Sequence, residues 1–253
     1  MESKLTRGLR FSANLGFLWA NLSLPDAISR ASSAGFEAIE CHWPYDHDPA
    51  LIGRLCNELN LKRISLNTRA HNHFGTAAIP TSVQAARADI DEAIDYARMA
   101  GFGAVHVMTG KTGEMAAKDT FVDNLWYASQ NAPELTFLIE PLNAHDVPGY
   151  FLSDLDQAME IFGIGWSPEC ETDVWWGGVD VRDAFRRTFD HIGHIQFAGL
   201  PNRGRPDHGT LNLKMLLPWI HQQGWRGFFG AEYRSESETE QTLGWLQEWK
   251  KLP

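Results

Sequence analysis

The chain has 253 residues, 43% hydrophobic and 21% charged, the make-up of a folded globular protein with a sizeable core. Its formal net charge of −10 argues against a partner held through phosphate-backbone charge, so nucleic acid is not expected. No segment approaches the roughly 20 unbroken apolar residues that a bilayer span requires, so no membrane partner is expected either.

Residues 1–7 lack an apolar signal core, and Cys41, Cys56 and Cys170 are odd in number with no C-x-x-C pair. A reduced, cytoplasmic protein is the expectation. No low-complexity tract or Pro/Ser-rich linker divides the chain, and residues 1–253 are read as one domain.

The first strand is predicted at 9–14. A helix follows, with Ser23 as N-cap, Pro25 and Asp26 in its first turn, and Ala27, Ile28, Ala31 and Ala34 on one face. It ends in a phrase that recurs: Ala31 to Ala34 and Gly35-Phe36-Glu37-Ala38-Ile39-Glu40 return as Ala97 to Ala100 and Gly101-Phe102-Gly103-Ala104-Val105-His106, and a third variant begins at Gln223-Gly224-Trp225. Each phrase is a helix end feeding a strand, with glycine supplying a left-handed turn. Further strands are predicted at 38–42, 63–67, 104–108, 136–140, 167–173, 194–198 and 228–232, and helices at 49–60, 83–100, 117–131, 153–162, 180–190, 211–223 and 237–250.

Eight strands alternate with eight helices. Short apolar runs read as strands buried on both faces, and the count fits an α/β protein with a single closed (β/α)8 barrel. A doubly wound open sheet is the structural alternative, but no G-x-G-x-x-G follows an early strand.

In a parallel barrel the active site forms where strands end. The late strands end in Glu140, Asp173, Gln196 and Glu232. Carboxylates are rarely buried without a partner, so acids converging from several strands imply a cation or shared protons. Carboxylate and amide oxygens suit Mg²⁺ or Mn²⁺. The ten histidines show no H-x-x-x-H zinc signature and read as loop or packing residues. Trp175 and Trp176, directly after Asp173, stand where a wall of the substrate cavity would be, whereas Trp245 and Trp249 on the last helix are candidates for a subunit interface.

At these residues the chain resembles the hydroxypyruvate isomerase family, within the wider sugar isomerase/epimerase, xylose-isomerase-like barrels. The resemblance rests on Leu9-Arg10-Phe11-Ser12-Ala13-Asn14-Leu15, on Gly35 to Glu40 followed by Pro44-Tyr45-Asp46, and on Gly110-Lys111-Thr112. It rests most of all on Ile139-Glu140-Pro141-Leu142-Asn143 with Asp146, Pro148-Gly149-Tyr150 and Leu152, and on Glu232-Tyr233. It implies that Glu140, Asp173, Gln196 and Glu232 hold a divalent metal, that Glu140 and Glu232 are the acid/base pair, that Arg203 faces substrate oxygens, and that Asp146 supports the site. A homo-oligomer is also implied.

Three positions depart from the family pattern. Trp176 stands where the family has a histidine, Gly199 where it has an acid, and Thr210 where it has a glutamate. The expected activity is aldose–ketose isomerisation of a small hydroxy-keto acid or sugar, hydroxypyruvate to tartronate semialdehyde above all. It proceeds by enediolate proton transfer between the two glutamates. An anionic substrate needs a local cation, for which Arg203, Arg69 and Lys111 are candidates. The rival readings are a sugar C3-epimerase or keto-sugar-acid dehydratase on the same site, an abasic-site endonuclease, and a non-catalytic sugar-binding barrel. The endonuclease is disfavoured for want of a basic groove.

Overall fold

The structure is a computed structural model that describes residues 8–162, 170–173, 180–235 and 238–252, with the backbone alone described at 162 and 170–173. Among the described residues eight parallel strands alternate with eight α-helices. The strands are β1 (Phe11–Asn14), β2 (Ala38–Cys41), β3 (Lys62–Asn67), β4 (Ala104–His106), β5 (Thr136–Leu138), β6 (Cys170–Asp173), β7 (Ile192–Phe197) and β8 (Phe229–Ala231). The helices are α1 (Leu24–Ala34), α2 (Pro49–Glu58), α3 (Val83–Ala100), α4 (Ala117–Asn131), α5 (Leu155–Phe162), α6 (Val181–Thr188), α7 (Leu213–Gln222) and α8 (Gly244–Trp249). Strand order is β5-β4-β3-β2-β1-β8-β7-β6, a nearly closed parallel barrel whose one unladdered seam among the described residues lies between β5 and β6.

Local sequence explains the punctuation. Ser23 caps α1 by accepting from the Asp26 amide, and Gly35 closes the helix at φ 94° with its N–H on Ala31 and Ser32 carbonyls. Gly101 and Gly224 repeat the device at φ 81° and 118°, as the recurring phrase predicts. The predicted helix at 237–250 is instead a 3₁₀ turn at Thr239–Thr242 followed by α8. Its threonines are diverted from helix to tertiary bonds: Thr239 Oγ1 accepts from the Trp19 amide, and the Thr242 hydroxyl pairs with the Tyr233 hydroxyl at 2.7 Å.

Strand faces correct the expectation of apolar runs on both sides. Phe11 and Phe197 pack their rings on Trp245 of α8, at 5.2 and 5.4 Å, so these odd-numbered positions face the helices. Alternation then sends Ser12, Asn14, His194 and Gln196 into the lumen. The outer face is oily and the inner face polar, yet both are buried. Trp245 and Trp249 are fully enclosed in this outer layer, which removes the interface role expected of them.

Candidate active site

The lumen's polar residues gather at the C-terminal ends of the strands. Glu140 follows β5, Gln196 sits near the end of β7 and Glu232 directly follows β8, and all three are buried. Asp173 ends β6 in register with Gln196, and only its backbone is described. Trp175 and Trp176 lie outside the described residues.

Glu232 is held by three donors from three directions. Asn14 Nδ2 reaches its Oε1 at 3.1 Å, His42 Nε2 lies 3.3 Å from the same oxygen, and Arg203 Nη2 donates to Oε2 at 2.8 Å. Burial alone would raise its pKa, but Arg203 and then His42 more than offset this and hold the carboxyl below the usual range. Glu140 has His106 Nδ1 3.7 Å away. Burial pushes the His106 pKa down to about 4 against the pull of the Glu232 charge, so its ring is neutral near pH 7. His106 thus lies within ion-pair range of Glu140 and feels the charge of Glu232.

Glu40 completes the cluster, and reading only the late strands misses it. Gln196 Nε2 donates to Glu40 Oε2 at 2.8 Å, Ser12 donates to Oε1, and His194 Nε2 lies 3.0 Å from Oε1. Burial favours the neutral acid, but His194, Ser12 and Gln196 together keep Glu40 below its ordinary pKa. The signal was available: Ser12, Asn14, Glu40, His194 and Gln196 are polar at alternating strand positions among apolar neighbours. His42 and His106 carry the same alternation, two residues after Glu40 and between Val105 and Val107.

The other predicted residues are dispersed. Arg203 reaches the centre from a loop closed by reciprocal Gly199–Gly204 backbone bonds, with its own φ at 51°. Lys111, half-buried after β4, stands 4.9 Å over the Phe74 ring. Its loop is pinned to the one after β5 by Phe151 N–H on the Gly110 carbonyl. Asp146 is exposed in that second loop and accepts from Asn143 Nδ2. Arg69 is engaged by Glu92 through two bonds of 2.6 and 2.8 Å. A cavity of 240 Å³ beside α1 meets the cluster only at His42 and is not the reaction chamber.

Among the described residues no three His, Cys, Asp or Glu side chains group as a metal site. That follows from the donor set, since one predicted ligand is an amide and the Asp173 side chain is undescribed. Gln196 Oε1 is buried with no hydrogen-bond partner among the described residues. A buried carbonyl oxygen left this way, among carboxylates, fits a hard divalent cation.

Buried acids at the strand ends of a parallel barrel define an enzyme of the eightfold barrel class. The chain matches the family described as xylose isomerase-like TIM barrel over residues 28–249. It is 32% identical over 255 residues to a 2-oxo-tetronate isomerase of Pectobacterium atrosepticum, covering 95% of this chain and 97% of that protein. It is also 32% identical over 261 residues to a putative hydroxypyruvate isomerase of Homo sapiens, covering 94% of each. A crystal structure described as an AP endonuclease, family 2, from Brucella melitensis superposes with TM-score 0.90 at 30% identity, covering 95% of this chain and 98% of that one. The protein belongs to the xylose isomerase-like TIM barrel family, and within it to the isomerases of the hydroxypyruvate and 2-oxo-tetronate group. Among the described residues no helix is long and apolar enough to cross a membrane.

Proposed function

We propose that the protein is a divalent-metal-dependent isomerase of a small 2-keto, 3-hydroxy acid, with hydroxypyruvate and tartronate semialdehyde as the substrate pair. The observation that carries this reading is the pair of buried glutamates, Glu140 and Glu232, which follow β5 and β8 at one mouth of the barrel, with His106 3.7 Å from the first. Glu140, Asp173, Gln196 and Glu232 would hold Mg²⁺ or Mn²⁺. When bound, such a cation supplies Lewis acidity toward adjacent carbonyl and hydroxyl oxygens.

The chain's own residues handle the protons. Glu232, kept ionised by Arg203, His42 and Asn14, accepts the proton from the hydroxyl-bearing carbon. Glu140, three strands away around the ring, delivers a proton to the former carbonyl carbon of the enediolate. The hydroxyl proton passes between the two oxygens, so no oxidant or reductant is needed. Arg203 offers its guanidinium to the substrate carboxylate; Lys111, Arg69 and Asp146 are further substrate-binding candidates, as is Trp176, which lies outside the described residues. The chain's net charge of −10 disfavours the endonuclease reading suggested by the Brucella structure's description.

The test is turnover of hydroxypyruvate by the Mn²⁺-loaded protein in deuterated water. Tartronate semialdehyde labelled at carbon is expected, with label and turnover lowered by at least about a hundredfold in folded Glu140→Gln and Glu232→Gln. Retained turnover in both variants overturns the proton-transfer scheme. Exchange without movement of the carbonyl identifies an epimerase, and loss of water a dehydratase.

A further inference from the structure

Gln196 is an unusual residue to leave with an unbonded buried oxygen, because a side-chain amide can turn over and exchange its two ends. One end is settled here. Its Nε2 donates at 2.8 Å to Glu40 Oε2, an acceptor that an amide carbonyl could not use. A flipped amide would set Gln196 Oε1 against the Glu40 carboxylate, oxygen to oxygen. The bond to Glu40 therefore turns Oε1, which is buried and without a hydrogen-bond partner among the described residues, away from that carboxylate.

Glu40 is in turn fixed from both sides. Ser12 of β1 donates to its Oε1, and His194 of β7 brings Nε2 within 3.0 Å of the same oxygen. Two strands, β1 and β8, lie between β2 and β7 in the sheet, so the Glu40–Gln196 bond can form only through the lumen. Gly230 of β8 leaves the space: a Cβ there would come within 2.5 Å of Glu40 Oε1 and 2.8 Å of His194 Nε2. Nothing in the proton transfer described above uses Glu40.

We infer that Glu40 is a positioning residue that, braced by Ser12 and His194, locks the Gln196 amide so that its carbonyl oxygen is presented as the amide ligand of the divalent cation. The inference rests on the metal-dependent reading of the site. By accepting from Nε2, the Glu40 carboxylate also polarises the amide and makes Oε1 the stronger donor. A hydrogen-bond partner behind a metal ligand commonly contributes ten- to a hundredfold in metal affinity.

The measurement is Mn²⁺ binding by calorimetry on wild type, Glu40→Gln, Gln196→Ala and the double variant, with thermal unfolding alongside. Glu40→Gln is expected to weaken Mn²⁺ binding about tenfold in the wild-type background and to have little further effect once Gln196 is alanine. Glu40→Leu, which removes the acceptor altogether, should weaken binding further, and if it does not fold the Gln variant carries the test. A mere loss of negative charge near the cation would weaken binding equally in both backgrounds, and that result overturns the inference. So does equal affinity of wild type and Glu40→Gln. A wild type that binds no Mn²⁺ overturns the metal reading and this inference with it, a pattern distinct from the other two.

Discussion

The two halves of the barrel mouth contribute different chemistry. The late half, β5 to β8, presents Glu140, Gln196 and Glu232, with Asp173 ending β6. The early half presents Asn14, Glu40 and His106 at strand ends and His42 just beyond β2. Late-half oxygens are aimed from the early strands: Asn14 of the neighbouring β1 and His42 bond Glu232, and Glu40 bonds Gln196 through the lumen. Orientation in the reactive half is thus set largely by strands that take no proton themselves, while Arg203 of the late half and then His42 keep Glu232 ionised.

The division predicts unequal losses. Glu232→Gln removes a proton acceptor and should lower kcat by about 10²–10⁴, the usual worth of a general base. Asn14→Ala removes one of three donors to the same carboxylate and should lower kcat roughly ten- to a hundredfold, from the worth of a hydrogen bond to a charged group. Steady-state kinetics on the two proteins would show the gap, and equal losses would break the comparison.

A second contrast separates lumen from outer layer. Trp245 is fully buried against Phe11, Phe197 and Trp249, with ring centroids 5.2–5.4 Å apart. Trp245→Ala should destabilise the protein by about 3–5 kcal/mol while leaving Mn²⁺ affinity unchanged, since no lumen residue is touched. Denaturant melts paired with calorimetry check both halves of the statement.

That contrast also explains what the sequence could tell. Helix-ending glycines and their following strands are local features, so Gly35, Gly101 and Gly224 were legible, and with them the eightfold alternation. Acids after β5, β6 and β8 stood out because apolar runs led into them. Glu40 did not, because it lay inside a recurring phrase whose helix-to-strand reading already accounted for it. Only alternation in β1, β2 and β7 marks the inward face, and those strands span four to six residues. The tryptophans of α8 misled for a different reason: which surface buries an aromatic is a tertiary fact, and spacing along a helix does not say whether it faces its own barrel or a second subunit.

Gly199, where the resemblance to the hydroxypyruvate isomerases implies an acid, sharpens the comparison on the late side. A Cβ there would lie 2.1 Å from the Arg205 carbonyl oxygen and 2.4 Å from that of His208. The loop bearing Arg203 has closed over the space the acid would need. Gly199→Ala should therefore cost about 1–3 kcal/mol by overpacking and disturb Arg203, visible as a raised KM for hydroxypyruvate. An unchanged melting point and KM would mean that the loop yields freely.

The smallest effect is expected at Arg69 in the early half. Its guanidinium is bound by both Glu92 oxygens and lies 4.7 Å over the Tyr45 ring, with 40% of the side chain exposed. An exposed ion pair contributes about 0–1 kcal/mol, so Arg69→Ala should barely shift the melting point. With the guanidinium committed to Glu92, KM for hydroxypyruvate should move less than about twofold, because a rim charge screened by its partner contributes little to a small anion's binding. A tenfold rise in KM would show that the arginine leaves Glu92 for the substrate carboxylate. The early strands would then bind substrate as well as aim the late ones, and the division between the two halves would hold for proton transfer but not for recognition.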